Sequence, residues 1–194
     1  MQFPHLLEPR GDIMNYYYFN EGLSKSDVNK ILLEIDKYMI GEKMEDGNIN
    51  GIIDTSYRSS KIFWIPYLGF EWLYEIINKF IMTANNDLYK FLLCGTFERI
   101  QYTEYDETYE GHYDWHSDIG EDNTSFRKLS VSIQLSDEYE GGELEFFLDR
   151  EIVTVPKSIG DVIVFPSFIT HRVQPVRKGI RKCLVIWASG PPFM

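Results

Sequence analysis

The apolar and polar positions divide the chain into two textures. Val28, Ile31, Leu32, Ile35 and Met39 recur at three- and four-residue spacings, the stripe of an amphipathic helix. Ser24, with Asp27 three residues on, gives it a capping signal, and Gly41 marks its stop. A second stripe, Leu73, Ile76, Ile77, Phe80 and Ala84, predicts a helix from about Glu71 to Asn85. The intervening GEKMEDGNING is polar and Gly-punctuated, the signature of a loop. Neither helix carries residues that suggest chemistry, so both read as packing elements.

From about Phe91 the texture changes to short β-branched and aromatic runs separated by Gly, Asp and Pro. Leu129, Val131, Ile133 and Leu135 alternate with Ser130, Ser132, Gln134 and Ser136, which predicts a half-buried strand. Gly141-Gly142 marks a turn into ELEFFL, followed by IVTV, by DVIVF ended at Pro166, and by RKCLVIWA. Short strands spaced by turns predict a β-barrel or jelly roll. The expected fold is therefore α+β and mainly β, in one domain over 1–194. Residues 1–90 are expected to be mainly helical support and 91–194 the barrel.

Composition narrows the function. With 194 residues, 44% of them hydrophobic and 15% aromatic, the chain can build its own core. A formal charge of −11 argues against a nucleic-acid partner, which needs a basic footprint; only Arg172, Arg177, Lys178, Arg181 and Lys182 cluster. Cys94 and Cys183 sit in apolar runs and read as buried, reduced thiols. No secretory leader and no apolar run of the roughly 20 residues that span a bilayer is visible, so a cytoplasmic protein without a membrane partner is expected. Oligomeric state is not legible.

The chemistry concentrates in YDWHSD, residues 113–118. On a strand His116 and Asp118 leave from the same face and can reach one ion, but His112 and Asp114 share that parity. A third ligand must come from elsewhere. Of the four histidines, His171 in FPSFITHRV is the best candidate and His5, near the terminus, a poor one. Two histidines and a carboxylate on one face of an ion form the facial arrangement of non-haem Fe(II) oxygenases, with positions left open for a chelating co-substrate and O₂. A chelating 2-oxo acid leaves a distal carboxylate that needs a partner. Arg181, at the start of the last strand, has the planar fork for it and shares a face with Cys183, Val185 and Trp187.

These runs resemble the Fe(II)/2-oxoglutarate-dependent dioxygenases, in particular the prolyl 4-hydroxylase-like (PKHD-type) branch. The likeness lies in IQYTEYDETYEGHYDWHSD (100–118), LSVSIQLSDEYEGGELEFF (129–147) and GDVIVFPSFITHRVQPVRKGIRKCLVIW (160–187), and more weakly in YRSSKIFWIP of the N-terminal half. It implies a double-stranded β-helix with supporting N-terminal helices. It also implies Fe(II) on His116, Asp118 and His171, with the distal carboxylate of 2-oxoglutarate on Arg181. Tyr105 would line the co-substrate pocket, with Tyr102 and Tyr109 as alternatives because the turn before Tyr113 is long. Tyr113 would stand at the iron-proximal wall and Trp187 inside the barrel. Gln134 takes the position of a co-substrate tyrosine in some relatives, so Ser130, Ser132 and Gln134 either line the pocket or face solvent.

The implied reaction is hydroxylation of a C–H bond coupled to decarboxylation of 2-oxoglutarate, with O₂ consumed and ascorbate as a further cofactor. The implied substrate is a prolyl residue in a peptide or protein. A free amino acid or other small molecule is the alternative, and a barrel that binds iron or a partner without turnover is the third reading. Retention of Asp118 argues against the halogenating variant of this chemistry, and the polar loop 119–127 is a candidate lid.

Overall fold

In a computed structural model, which describes residues 16–48 and 51–193, the capping signal and the apolar stripes become two helices. Helix α1 (Lys25–Tyr38) begins with a reciprocal capping box between Ser24 and Asp27 and buries Val28, Ile31 and Ile35. It ends before Gly41, because Met39 already closes the last turn; Gly41 lies beyond it with a positive φ of 88°. Helix α2 (Glu71–Ala84) buries Leu73, Ile77, Phe80 and Ile81. His5 lies outside the described residues. No described helix is long and apolar enough to cross a membrane.

The strands outnumber the expectation, and several lie in the N-terminal half. There, β1 (Tyr17–Phe19), β2 (Glu45–Asp46), β3 (Arg58–Ser59) and β4 (Lys61–Ile65) join the sheets rather than the helical support. Next come β5 (Ile100–Asp106), β6 (His112–His116), β7 (Arg127–Gln134), β8 (Tyr139–Gly141) and β9 (Leu144–Leu148). The chain closes with β10 (Glu151–Thr154), β11 (Val162–Pro166), β12 (His171–Val173) and β13 (Val176–Ser189). One sheet runs β1-β11-β7-β13-β5-β4-β2, with β8 on β13; the other runs β10-β9-β12-β6-β3. Every pairing is antiparallel, and the two sheets form a jelly roll.

Side-chain parity builds two cores on the two faces of the larger sheet. Leu129, Val131, Ile133, Val164, Leu184 and Ile186 point toward the helices and pack with Val28, Ile31, Leu73 and Ile77. Each such buried aliphatic side chain contributes about 1.5–3 kcal/mol of transfer free energy. The opposite parity, Ile163, Phe165 and Cys183, turns inward and meets Leu144, Phe146 and Val173 of the second sheet. Strand β7 is therefore buried on both faces, not one: Ser130, Ser132 and Gln134 are 0%, 8% and 5% exposed. Small hydroxyls there keep the barrel interior open on that side. Cys183 is buried as expected, but Cys94 is exposed. Its backbone is engaged at the sheet edge, with its N–H donating to Ser189 O, which leaves the thiol outside.

The connection from β5 to β6 fixes where the YDWHSD stretch begins. Glu110 takes a left-handed φ of 48° and Gly111 lies so close to β5 that a Cβ would sit 2.6 Å from Tyr105 Cα. Only glycine lets β6 leave the turn there.

Candidate metal centre and its cavity

Strand pairing brings the distant histidines together. His116 on β6 and His171 on β12 are direct Cα partners, with ring centroids 4.2 Å apart. Asp118 lies two residues beyond the end of β6, where the Asp118 N–H donates to Ser167 O at 2.9 Å. One oxygen of its carboxylate is 3.8 Å from His116 Nε2 and the other 3.7 Å from His171 Nε2. The three side chains each offer a ligand atom within 4.8 Å of the others, a spacing that could hold one metal ion. The competing parity fails: Asp114 is exposed, and both ring nitrogens of His112 lie against backbone carbonyls, at 2.8 and 3.3 Å.

The tautomers suit ligation. His116 Nδ1 lies 2.7 Å from Asp114 O and His171 Nδ1 lies 2.9 Å from Ile169 O. A carbonyl only accepts, so each Nδ1 carries the proton and each Nε2 turns a lone pair toward Asp118. Burial, together with neighbouring His171, pushes the His116 imidazole down to about 3 and so keeps it neutral. Burial alone would raise the Asp118 carboxyl; His171, His116 and the Ser130 hydrogen bond outweigh it and hold the group below its ordinary value. That bond, Ser130 Oγ to Asp118 Oδ2, is 2.6 Å long. Arg127 adds a second restraint by donating to Asp118 O at 3.1 Å while pairing with Glu98 through two nitrogens.

The triad opens onto a cavity of about 870 Å³. Tyr105, Tyr113, Arg181 and Trp187 line it. Tyr113 stacks on His116 with ring centroids 3.5 Å apart. Tyr105 lies beneath Arg181 at 5.3 Å, whereas Tyr102 turns into the helix-side core and the Tyr109 hydroxyl donates to Glu104 O. Gln134 is not in this wall. It sits behind Arg181, where its amide donates to the Tyr139 hydroxyl oxygen at 2.5 Å. Residues 119–124 form part of the cavity rim, and the 3₁₀ turn Asp122–Phe126 follows.

Two features fit a carboxylate-bearing group in the cavity. Arg181 is only 2% exposed, and its side-chain partners are neutral groups, Cys183 Sγ at 3.2 Å and the Tyr139 hydroxyl. No carboxylate of the described residues lies within 4.0 Å of it. Trp187 Nε1, in the same wall, is a buried donor that finds no acceptor among the described residues. Buried cations and donors are paired as a rule, so both call for a partner beyond the described residues.

Residues 100–189, which carry the His116-Asp118-His171 set together with Tyr105, Tyr113, Arg127, Ser130, Arg181 and Trp187, match the 2OG-Fe(II) oxygenase superfamily. Its cofactors are Fe(II), 2-oxoglutarate and O₂, and the His116-Asp118-His171 donor set fits the metal. A PKHD-type hydroxylase of Synechococcus sp. is 30% identical over 118 residues, 60% of this chain and 48% of the relative. The chain thus spans about half the length of that curated relative. Among solved structures, a Pseudomonas putida prolyl-4-hydroxylase superposes with a TM-score of 0.74 at 18% identity, covering 91% of this chain and 93% of that one. A Trichoplax adhaerens prolyl hydroxylase, solved in complex with a hypoxia-inducible factor peptide fragment, gives 0.78 at 18% identity, covering 90% and 83%. At such identities the structures share the fold.

Three residues carry more of the site than their sequence context reveals. Ser130 belongs to the alternating polar face, a signal that could have found it. Arg127 ends a polar loop, and no pattern marks its contact with Asp118. Arg58, in YRSSKIFWIP, faces the cavity from the N-terminal half.

Proposed function

We propose that this protein is an Fe(II)- and 2-oxoglutarate-dependent oxygenase that hydroxylates a C–H bond, with a prolyl residue in a peptide or protein as its substrate. The observation that carries the reading is the pairing, in one cavity, of the His116-Asp118-His171 donor set with a buried Arg181 that lacks a carboxylate partner. Iron held there would, with O₂ and 2-oxoglutarate oxidised to succinate and CO₂, supply the oxidising power.

The chain's own residues bind and orient. His116 and His171 would hold the metal through Nε2, their rings locked by the carbonyls of Asp114 and Ile169. Asp118 would supply the anionic ligand, aimed by Ser130 and anchored through its backbone by Arg127. Arg181 would clamp the distal carboxylate of 2-oxoglutarate bidentately, a geometry that lysine cannot reproduce. Phe165, Leu144 and Val173 give the cavity an apolar lining near His171 that limits water. Tyr113, stacked on His116, forms the wall beside the metal.

The prolyl assignment is supported by two structural neighbours that are prolyl hydroxylases, one of them in complex with a peptide. It is tested by incubating the iron- and 2-oxoglutarate-loaded protein with proline-containing peptides. The expected product is a peptide heavier by one oxygen atom, located on proline by fragmentation. Succinate formation with small molecules and none with peptides would assign the free-amino-acid reading instead.

A further inference from the structure

Three arginines line the cavity, and they differ in one respect. Arg127 is neutralised by Glu98. Arg181 and Arg58 have no carboxylate of the described residues within 4.0 Å. On the reading above, the co-substrate accounts for Arg181. Arg58 remains.

Arg58 is 7% exposed and belongs to the short strand β3, in register with Tyr113 of β6. Its guanidinium lies over the Tyr113 ring at 4.6 Å, and the other face of the motif, Tyr113 on His116, stacks at 3.5 Å. Nε donates to Ser60 Oγ at 2.9 Å and one terminal nitrogen to Gln101 Oε1 at 3.0 Å. The other approaches Asn48 O at 3.5 Å, the outer limit of a hydrogen bond. These are neutral acceptors: they fix the fork's orientation and leave its charge uncompensated among the described residues. The chain holds 30 acidic residues against 19 basic ones, so the missing counter-charge does not reflect a shortage of acids. A buried, rigidly aimed and unneutralised guanidinium at a cavity wall is costly unless an anion arrives with a ligand. Arg58 and Arg181 reach the cavity from different sheets, β3 in the smaller and β13 in the larger.

We propose that Arg58 is a specificity-determining residue that recognises a carboxylate on the molecule to be hydroxylated, placing it beside the Tyr113–His116 wall. The planar fork suits a carboxylate bidentately. Such a carboxylate comes either from a free amino acid or from an acidic side chain next to the reacting residue in a peptide. The proposal rests on Arg181 serving the co-substrate.

The test uses the full chain loaded anaerobically with Fe(II) and 2-oxoglutarate, and measures binding rather than turnover. Two matched pairs serve as probes: L-proline against L-prolinamide, and N-acetyl-prolyl-glutamate amide against its glutamine counterpart. A charge-assisted pair predicts that the acid in one pair binds on the order of 10- to 100-fold more tightly than its neutral partner. The first pair identifies a free amino acid and the second a peptide. Arg58→Gln should erase that preference and Arg58→Lys should keep part of it. Equal binding of acid and neutral probe, binding of none of the four, or a preference that survives Arg58→Gln overturns the proposal. A loss of 2-oxoglutarate affinity in Arg58→Gln also overturns it, by assigning the guanidinium to the co-substrate. Should Arg58→Gln fail to fold, the wild-type acid preference and the partial effect of Arg58→Lys decide. Failure of the wild-type protein to bind 2-oxoglutarate would instead defeat the functional reading on which this one rests.

Discussion

His116 and His171 stand opposite each other across the β6–β12 ladder, their Cα atoms paired in register although they lie 55 positions apart in the sequence. The sheet itself therefore aims two ligands at one point, and Asp118 needs only the short step beyond β6 to join them. Pre-organisation of this kind predicts that the ligands fail individually while the fold survives.

Ser130 should act on the metal through Asp118. Its hydroxyl donates to Asp118 Oδ2 from a residue that is fully buried. Ser130→Ala should lower metal affinity by about 10- to 100-fold, the usual effect of losing a group that orients a ligand. Titration of the metal-free protein with Fe(II) or Mn(II) checks this; an unchanged affinity would show that the carboxylate is held without Ser130.

Arg181→Gln should raise the 2-oxoglutarate requirement by at least about tenfold, the scale of a charge-assisted hydrogen bond. Metal affinity should be retained, because Arg181 contacts Cys183 and Tyr105 rather than the triad. Parallel titrations of metal and 2-oxoglutarate separate the two effects. A joint loss would mean that the variant had disturbed the barrel.

Acid should destabilise the metal-free protein through His116. Its folded value of about 3 lies below the ordinary 6.5, so between those values the unfolded chain binds the proton that the folded one refuses. The contribution is fully present above pH 6.5 and is lost as the pH falls toward 3. Thermal midpoints of metal-free protein across this window should decline with falling pH, and His116→Gln should flatten the decline. A midpoint independent of pH there would mean that His116 charges in the folded state.

Gly111→Ala should destabilise the fold by about 1–3 kcal/mol, because the added methyl meets the Tyr105 backbone at 2.6 Å and cannot push a flexible side chain aside. Denaturant midpoints measure the loss. The same change should weaken metal binding, since the turn sets the start of β6.

Much of this was legible in the sequence because it rests on long or chemically distinctive patterns. The helical stripes, the alternation of β7 and the joint presence of His116, Asp118, His171 and Arg181 all survive as geometry. Strands β1 to β4 were not legible, since segments as short as Arg58–Ser59 carry no period to read. For the same reason Arg58 surfaced only when the β3–β6 ladder set it over Tyr113. The polar parity of β7 was visible, but alternation alone cannot tell solvent from a barrel interior, and in the fold Ser130 and Gln134 are enclosed. Gln134 also shows that parity finds a face and not a depth: it faces inward yet lies behind Arg181. The exposure of Cys94 was hidden because its apolar neighbours belong to an irregular edge rather than a strand.

The central claim is that the His116-Asp118-His171 centre, served by Arg181, turns over 2-oxoglutarate. Its most direct test is succinate production from 2-oxoglutarate by the purified chain with Fe(II) and O₂, compared with Asp118→Ala. Succinate is expected from the wild-type protein and none above background from Asp118→Ala, with the variant's thermal unfolding still cooperative. Equal succinate from both, or none from an iron-loaded wild-type protein that binds 2-oxoglutarate, would contradict it.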